Sequence, residues 1–239
     1  MPQADAAIIT EKIFARVYGT GYPLLLIHGN HGSGKVFSKI TLKLSKKYQL
    51  VVPDLPGHGD GPPVNSIFDK NPESAVDYCF KVLDYLGIEE AYICGHSLGG
   101  MIALLMSLEQ PDRIKALILL ESYVDYNERP PVLLNFYFPK CNTMVCNEID
   151  EALSDGPGLS WYKNFDIKSE INKITFPVLE LFGESNPFTD AIYNNWLKEK
   201  RMDFPPLWKF LRIPGAGHFL QIEQPVLVEN AITDFLDSL

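Results

Sequence analysis

The sequence predicts an α/β fold in which a mostly parallel, doubly wound sheet is covered by helices on both faces. Six short apolar segments each end at a turn-forming or charged residue, and segments with helical spacing lie between most of them. Strands buried in parallel sheets are continuously apolar, and strands that alternate with helices form such sheets. With 239 residues, the chain is long enough to bury one sizeable core.

The six predicted strands are short apolar runs that end in turns, as expected for strands buried on both faces. They cover residues 22–27, 49–54, 91–94, 114–120, 176–182 and 208–213. Five helices are predicted from apolar spacing, over residues 33–47, 73–86, 99–110, 190–200 and 225–239. Gly87 is a natural stop for the second helix, and the third ends before Pro111.

The segment 122–175 breaks the alternation, because it is aromatic, irregular and rich in proline. A structureless loop of this length is uncommon in a compact domain. We therefore predict a small, partly helical cap, inserted after the strand that ends at Leu120 and lying over the strand ends. Residues 1–121 and 176–239 would form the core around it.

Charge and composition argue against several classes of function. The net charge is −9 and the isoelectric point is about 5.0, so the chain repels phosphate backbones and no nucleic-acid partner is expected. No run of 18 apolar residues is present, so no membrane span is predicted. The N-terminal residues lack the pattern of a secretory signal, so a cytoplasmic location is expected.

The four cysteines do not indicate a metal site. Cys79, Cys94, Cys141 and Cys146 form no C-x-x-C pair and have no histidines at zinc-finger spacing. We expect reduced, partly buried thiols, with no metal and no organic cofactor.

The segment 95–100 (GHSLGG) carries the strongest chemical signal. It fits G-x-S-x-G and lies between an apolar strand and an apolar helix. The flanking glycines permit a sharp turn in which Ser97 adopts a strained backbone and projects its hydroxyl above the strand ends. The N–H groups of the following helix favour negative charge there. The motif predicts Ser97 as a nucleophile.

Four motifs follow one another along the chain: 26–29 (LIHG), 54–59 (DLPGHG), 95–100 (GHSLGG) and 215–218 (GAGH). In this order they resemble the α/β-hydrolase superfamily, in its lid-bearing group of esterases, C–C hydrolases and related enzymes. The resemblance covers nearly the whole chain. The motifs are highly specific for the fold and much less specific for the substrate.

The resemblance implies roles for three further residues. His218 would be the general base, within hydrogen-bond reach of Ser97. The backbone N–H groups of Asn30 and Leu98 would form the oxyanion hole. Because these two donors belong to the backbone, the unusual residue type at position 30 is compatible with the role.

The third member of the triad departs from the family pattern. The usual aspartate aligns with Asn186, in 183–187 (GESNP), and a neutral amide cannot stabilise a histidinium as a carboxylate does. Glu121, at the end of the preceding strand, is our candidate for the acid. Some members of the superfamily carry their acid there, and the order serine, acid, histidine is preserved. Glu184, Asp190 and a dyad with Asn186 as a neutral orienter remain open.

The expected reaction is hydrolysis of a carboxylic ester, thioester or lactone through an acyl-enzyme on Ser97. The many aromatic rings of the predicted cap favour an apolar small-molecule substrate. A C–C bond hydrolase, a lyase or an acyl transferase would use the same serine and histidine, because fold does not fix function. Asn186 also leaves open a ligand-binding relative with little turnover. The oligomeric state stays open.

Overall fold

The computed structural model describes residues 4–10, 12–63, 71–125, 164–186 and 204–239. The strands are β1 (Ala6–Ile9), β2 (Phe14–Tyr18), β3 (Tyr22–Ile27), β4 (Tyr48–Pro53), β5 (Ala91–His96), β6 (Ile114–Leu120), β7 (Val178–Gly183) and β8 (Trp208–Ile213). The α-helices are α1 (Ser38–Leu44), α2 (Pro72–Tyr85), α3 (Leu98–Glu109), α4 (Leu220–Glu223) and α5 (Pro225–Asp237). Single 3₁₀ turns span Gly34–Phe37, Pro111–Arg113 and Ile171–Lys173.

The eight strands form one sheet, in the order β1-β2-β4-β3-β5-β6-β7-β8. The six strands from β3 to β8 are parallel to one another, and they are the six that the sequence predicts. The strands β1 and β2, which the sequence analysis missed, add an antiparallel edge. The mostly parallel sheet is therefore confirmed.

Two apolar cores lie on the two faces of the sheet, because successive side chains of a strand point to opposite sides. In β3, Leu25 and Ile27 belong to the core that contains α2 and α3. Leu24 and Leu26 belong to the core that contains α1 and α5. All four side chains are fully buried. This two-sided burial explains why the run is continuously apolar, and it confirms the doubly wound arrangement.

The helices follow the predicted order, with two differences among the described residues. The helix predicted over 33–47 is wrong in extent, since a 3₁₀ turn precedes a short α1 that ends at Leu44. The short helix α4 was not predicted. The helix predicted over 190–200 lies outside the described residues. The predicted limits of α2 are close, because Asn71 accepts a hydrogen bond from the N–H of Glu73 and Gly87 adopts a φ of 68° after its end.

The predicted cap falls mostly on residues 126–163, which lie outside the described residues. Its two described ends meet, because Asp125 and Asp166 form an antiparallel bridge. The N–H of Ile167 also donates to the carbonyl of Val124 at 2.8 Å. The buried carboxylate of Asp125 pairs with Lys168. The described segments before and after residues 126–163 are therefore held to each other a few residues after the end of β6.

No helix in the described ranges is long and apolar enough to cross a membrane. Cys79 and Cys94 are buried free thiols, and Cys141 and Cys146 lie outside the described residues. Among the residues that the structure describes, no group of three or more histidine, cysteine, aspartate or glutamate side chains is arranged to hold a metal ion.

Candidate active site

The strand order changes direction at β3 and β5, which makes their carboxyl ends the topological switch point of the sheet. The neighbour that follows β3 along the chain, β4, lies on one side of it, whereas β6 lies on the far side of β5. The loops after β3 and β5 therefore run in opposite directions. Open α/β sheets bind their ligands between two such loops. The two loops are in contact, since a Cβ added to Gly29 would lie 3.1 Å from the Cβ of Ser97.

Ser97 occupies the sharp turn that the sequence predicts between a strand and a helix. Its φ of 53° and ψ of −117° are strained for a residue with a side chain. The glycines around it have no room for a Cβ: one on Gly95 would lie 2.3 Å from the carbonyl oxygen of Gly99, and one on Gly99 would lie 2.1 Å from that of Ile27. This packing presents Ser97, half-buried, at the N-terminus of α3.

His218 lies in the loop between β8 and α4, against the residue that precedes Ser97. Nε2 of His96 donates to the carbonyl oxygen of His218 at 2.8 Å, and the two imidazole rings are 4.8 Å apart. Only 8% of the His218 side chain is exposed. Burial lowers the pKa of His218 to about 3, so the ring is neutral near pH 7, as a general base requires.

Glu121 lies directly after β6, and its side chain reaches His218. Oε1 accepts a hydrogen bond from the N–H of Gly183 at 2.5 Å, and Oε2 accepts one from Nδ2 of Asn186 at 2.6 Å. Oε2 is also 3.6 Å from Nδ1 of His218. The carboxylate is 1% exposed, and the residue has a φ of 53°. The structure thus brings Glu121, Asn186 and His218 together.

The other candidates for the acid are placed differently. Glu184 follows β7 and is exposed. Asp190 lies outside the described residues. Asn186, at the position where the family usually has its aspartate, is buried and acts as a hydrogen-bond donor to Glu121. Of the two nominated carboxylates that the structure describes, Glu121 is the one with an oxygen within 4 Å of His218.

The end of β6 supports the candidate nucleophile as well as the candidate acid. The N–H of Ser97 donates to the carbonyl of Leu120 at 2.8 Å, and the hydroxyl of Ser122 donates to the carbonyl of Ser97 at 3.1 Å. Glu121 stands between these two contacts in the chain. The backbone around Ser97 and the backbone that carries Glu121 are therefore held as one unit.

Sequence reasoning missed a second buried carboxyl group in this region. Glu180 of β7 is 2% exposed, and its Oε1 accepts the N–H of Ser122 at 3.1 Å. Burial raises the pKa of Glu180 well above its usual value, and the nearby Glu121 raises it further. A single acid within the apolar segment 178–183 (VLELFG) was the signal that could have found it.

The two predicted oxyanion donors flank this turn. Asn30 follows Gly29, which packs on Ser97, and is half-buried. Leu98 is the first residue of α3, where backbone N–H groups have no acceptor within the helix. His28 holds the first of these loops, since its Nε2 accepts the N–H of Leu55 at 2.9 Å. Burial lowers the pKa of His28 to about 4 and keeps it neutral, which suits a structural role.

Few of the aromatic rings that the sequence assigns to a pocket are described. Tyr123 and Phe165 are buried in the core that contains α2 and α3, so they support the packing of the insertion's ends. Phe219 lies 5.3 Å from His218, edge to face, and packs on His96 as well. The other aromatic rings of the predicted cap lie outside the described residues.

Comparisons with known proteins agree with this geometry. The family model described as "alpha/beta hydrolase fold" matches residues 22–144, just over half of the chain. The chain is 28% identical to a pimeloyl-[acyl-carrier protein] methyl ester esterase of Legionella pneumophila (strain Corby), covering 92% of this chain and 97% of the relative. It is 32% identical to a 2-hydroxymuconate semialdehyde hydrolase of Pseudomonas sp. (strain CF600), over 51% of this chain and 44% of the relative.

Solved structures share the fold. A thermophilic esterase from Thermogutta terrifontis matches with a TM-score of 0.78 and 22% identity, over 95% of this chain and 94% of the other. The naproxen esterase of Bacillus subtilis matches with a TM-score of 0.77 and 20% identity, over 97% and 91%. Together with the family match and the turn at Ser97, these likenesses show that the chain belongs to the α/β-hydrolase family.

Proposed function

We propose that the protein is a serine esterase with Ser97 as nucleophile, His218 as general base and Glu121 as the acid of the triad. The observation that carries this proposal is the placement of Glu121, whose Oε2 lies 3.6 Å from Nδ1 of His218. A buried carboxylate on that side favours the Nδ1–H tautomer, which leaves Nε2 of His218 free to accept the proton of Ser97. The 3.6 Å separation is expected to shorten when substrate binds.

The reaction follows from these positions. Nε2 of His218 takes the proton of the Ser97 hydroxyl while Oγ attacks the ester carbonyl, and the N–H groups of Asn30 and Leu98 bind the oxyanion. The imidazolium, stabilised by Glu121, protonates the departing alcohol, which leaves an acyl group on Ser97. A water molecule then gives one proton to His218 and attacks the acyl carbon. As the acyl–oxygen bond breaks, His218 returns this proton to Oγ of Ser97, which releases the carboxylic acid and restores the free enzyme.

The substrate that we propose is a carboxylic ester of an apolar small molecule. The relatives and structural neighbours named as esterases support ester cleavage, and Phe219 supplies an apolar ring beside His218. Thioesters and lactones fit the same chemistry. A second candidate is cleavage of a C–C bond next to a carbonyl, which is favoured by the likeness to the semialdehyde hydrolase over half of the chain.

The test is hydrolysis of p-nitrophenyl butyrate by the wild type and by the Ser97→Ala, Glu121→Gln and Glu184→Gln variants. We expect Ser97→Ala to hydrolyse the ester no faster than the spontaneous reaction. The rate of Glu121→Gln should be lower than that of the wild type by about 10²-fold or more. Glu184→Gln is the matched control, because this exposed glutamate follows the next strand, and it should retain the wild-type rate.

Two outcomes would overturn parts of the proposal. A wild-type rate no higher than that of Ser97→Ala, on this ester and on methyl esters, would rule out the esterase. A Glu121→Gln variant that unfolds at the wild-type temperature and keeps the full rate would remove Glu121 from the triad while leaving Ser97 and His218 in place.

A further inference from the structure

The carboxylate of Glu223 binds the backbone on both sides of His218. Its Oε2 accepts the N–H of Gly217 at 2.8 Å, and its Oε1 accepts the N–H of Phe219 at 3.0 Å. Glu223 is the last residue of α4, the short helix that begins directly after this loop. The approach is close, since a Cβ added to Gly217 would lie 3.1 Å from each carboxylate oxygen.

The opposite side of the loop is held through its carbonyl groups. The carbonyl of Ala216 accepts the N–H of Ser185 at 2.8 Å, and that of His218 accepts Nε2 of His96 at 2.8 Å. The loop also lies against β7, where a Cβ on Gly183 would be 2.3 Å from the carbonyl oxygen of Gly217. The loop has no regular secondary structure of its own. Glu223 accepts hydrogen bonds from its N–H groups, and Ser185 and His96 donate hydrogen bonds to its carbonyl groups.

The charge on Glu223 has no cation to balance it among the described residues, since its side-chain partners are these two N–H groups. Burial raises the pKa of Glu223, and the nearby Glu121 raises it further. A half-buried carboxylate without a cation is costly, so its presence needs an explanation. The two N–H groups explain the carboxylate, because it offers two equivalent acceptor oxygens, one for each of them.

We propose that Glu223 is a positioning residue that fixes the backbone around His218, so that the imidazole points toward Ser97 and Glu121. The kinetic part of this inference rests on the proposed function. A displacement of about 1 Å in a catalytic group can cost about 10²-fold in rate. Two charge-assisted hydrogen bonds to residues 217 and 219 limit such a displacement, because they hold the chain immediately before and after His218.

The decisive variant is Glu223→Gln, which keeps the size of the side chain. Its amide offers one oxygen, so one of the two N–H groups would face an NH₂ group and lose its acceptor. The matched control is Glu229→Gln on α5, since Glu229 is also a buried glutamate but pairs with Lys43, at 3.6 Å, instead of with this loop. Both variants are compared with the wild type by thermal unfolding, so that a general loss of stability is recognised.

Two measurements test the role. The first is amide hydrogen exchange at Gly217 and Phe219, which does not depend on any activity; we expect exchange to accelerate at least 10-fold at one or both amides in Glu223→Gln and to stay unchanged in Glu229→Gln. The second is kcat for p-nitrophenyl butyrate per active site, counted by titration with a fluorophosphonate that reacts with Ser97. We expect kcat per site to fall about 10- to 100-fold with KM within about twofold.

Each outcome decides a separate point. Unchanged exchange at both amides would overturn the inference. Accelerated exchange with an unchanged kcat per site would reduce Glu223 to a structural contact, which also overturns it. If the wild type hydrolyses no ester, the proposed function fails. The positioning of His218 by Glu223 would still be supported if, in Glu223→Gln, amide exchange is faster and Ser97 reacts more slowly with the fluorophosphonate than in the wild type.

Discussion

Nδ2 of Asn186 donates a 2.6 Å hydrogen bond to Oε2 of Glu121, the same oxygen that lies 3.6 Å from Nδ1 of His218. The residue at the usual position of the triad acid therefore binds a carboxylate that comes from the preceding strand of the sheet. A neutral amide is well suited to this place, since a second carboxylate would repel Glu121. The asparagine at position 186 and the glutamate at position 121 thus depend on each other, because the amide donates to the carboxylate.

Replacing Asn186 by alanine is expected to lower kcat/KM for p-nitrophenyl butyrate about 10-fold or more at every pH. The reason is the loss of a hydrogen bond to a charged group, which contributes about 1.5–3 kcal/mol. In Asn186→Asp, the two carboxyl groups would share one proton, and the acid O–H would replace the amide as donor. This variant should be more active than Asn186→Ala near pH 6 and lose activity as the pH rises and the shared proton leaves. Parallel pH profiles for the two variants would contradict this reading of the pair.

The acidic limb of kcat/KM is expected to lie below the ordinary histidine pKa of 6.5. Burial lowers the pKa of His218 to about 3, so the free enzyme keeps its base unprotonated in mild acid. The Glu121 carboxylate favours the imidazolium, so Glu121→Gln should move the limb to still lower pH while reducing the plateau. The measurement is kcat/KM between pH 2.5 and 8 for both proteins, with the folded state checked by circular dichroism at each pH. A wild-type limb at pH 7 or above would show that the imidazolium is favoured in the free enzyme.

Replacing Glu180 by glutamine should stabilise the protein increasingly as the pH rises above about 4.5. In the folded chain burial raises the pKa of Glu180 well above 4.5, whereas the unfolded chain ionises near that value. The folded state then binds more protons, so the wild type loses unfolding free energy with rising pH, by up to about 1.4 kcal/mol per pH unit. Glutamine keeps an acceptor for the N–H of Ser122 and lacks this loss.

The check is urea unfolding of the wild type and Glu180→Gln at pH 5.5, 6.5 and 7.5, with Glu184→Gln as the exposed control. The advantage of Glu180→Gln should grow across the series, and that of the control should stay flat. A constant difference between Glu180→Gln and wild type would mean that the folded protein ionises this group as readily as the unfolded chain.

The turn at Ser97 should not accept a methyl group on Gly99. A Cβ there would lie 2.1 Å from the carbonyl oxygen of Ile27. The backbone of Gly99 fixes the position of the Cβ, and the carbonyl oxygen belongs to the backbone, so neither can move aside. We expect Gly99→Ala to lose about 3 kcal/mol or more of unfolding free energy. Gly87→Ala is the control: its φ is 68°, but no atom lies within 4 Å of its Cβ, so it should lose about 1–2 kcal/mol. Equal losses in urea unfolding would contradict the packing of the turn.

The parts of the fold that sequence reasoning predicts are those with two buried faces. The segments 22–27 and 114–120 match β3 and β6 residue for residue, because nearly every side chain in them must be apolar. The strand β2, which lies second from the edge of the sheet, escaped prediction because its apolar run contains Arg16, whose guanidinium pairs with the buried Asp54 at 3.1 Å. An ion pair between distant parts of the chain leaves no local pattern.

The candidate active site also has parts that follow from local sequence and parts that depend on contacts between distant residues. G-x-S-x-G is a local motif, and the strained turn at Ser97 follows from glycines within three residues of it. The acid is different, because sequence reasoning left Glu121, Glu184, Asp190 and a dyad as alternatives. The register of the sheet pairs Leu120 with Leu181, which sets Glu121 beside the end of β7 and within reach of His218. The register between two strands cannot be deduced from the spacing of residues along the chain.

By itself, the sequence determined the layered fold, the sharp turn at Ser97 and the loop that carries His218, because each depends on burial or turn chemistry within a few neighbouring residues. Only the tertiary structure decided that Glu121 lies beside His218, that Asn186 donates to Glu121 and that Glu223 binds the backbone on both sides of His218. The first two relations join the ends of separate strands at the carboxyl edge of the sheet. Their physical cause is the alignment of parallel strands, which brings Glu121 within 4 Å of two side chains that lie 65 and 97 positions away along the chain.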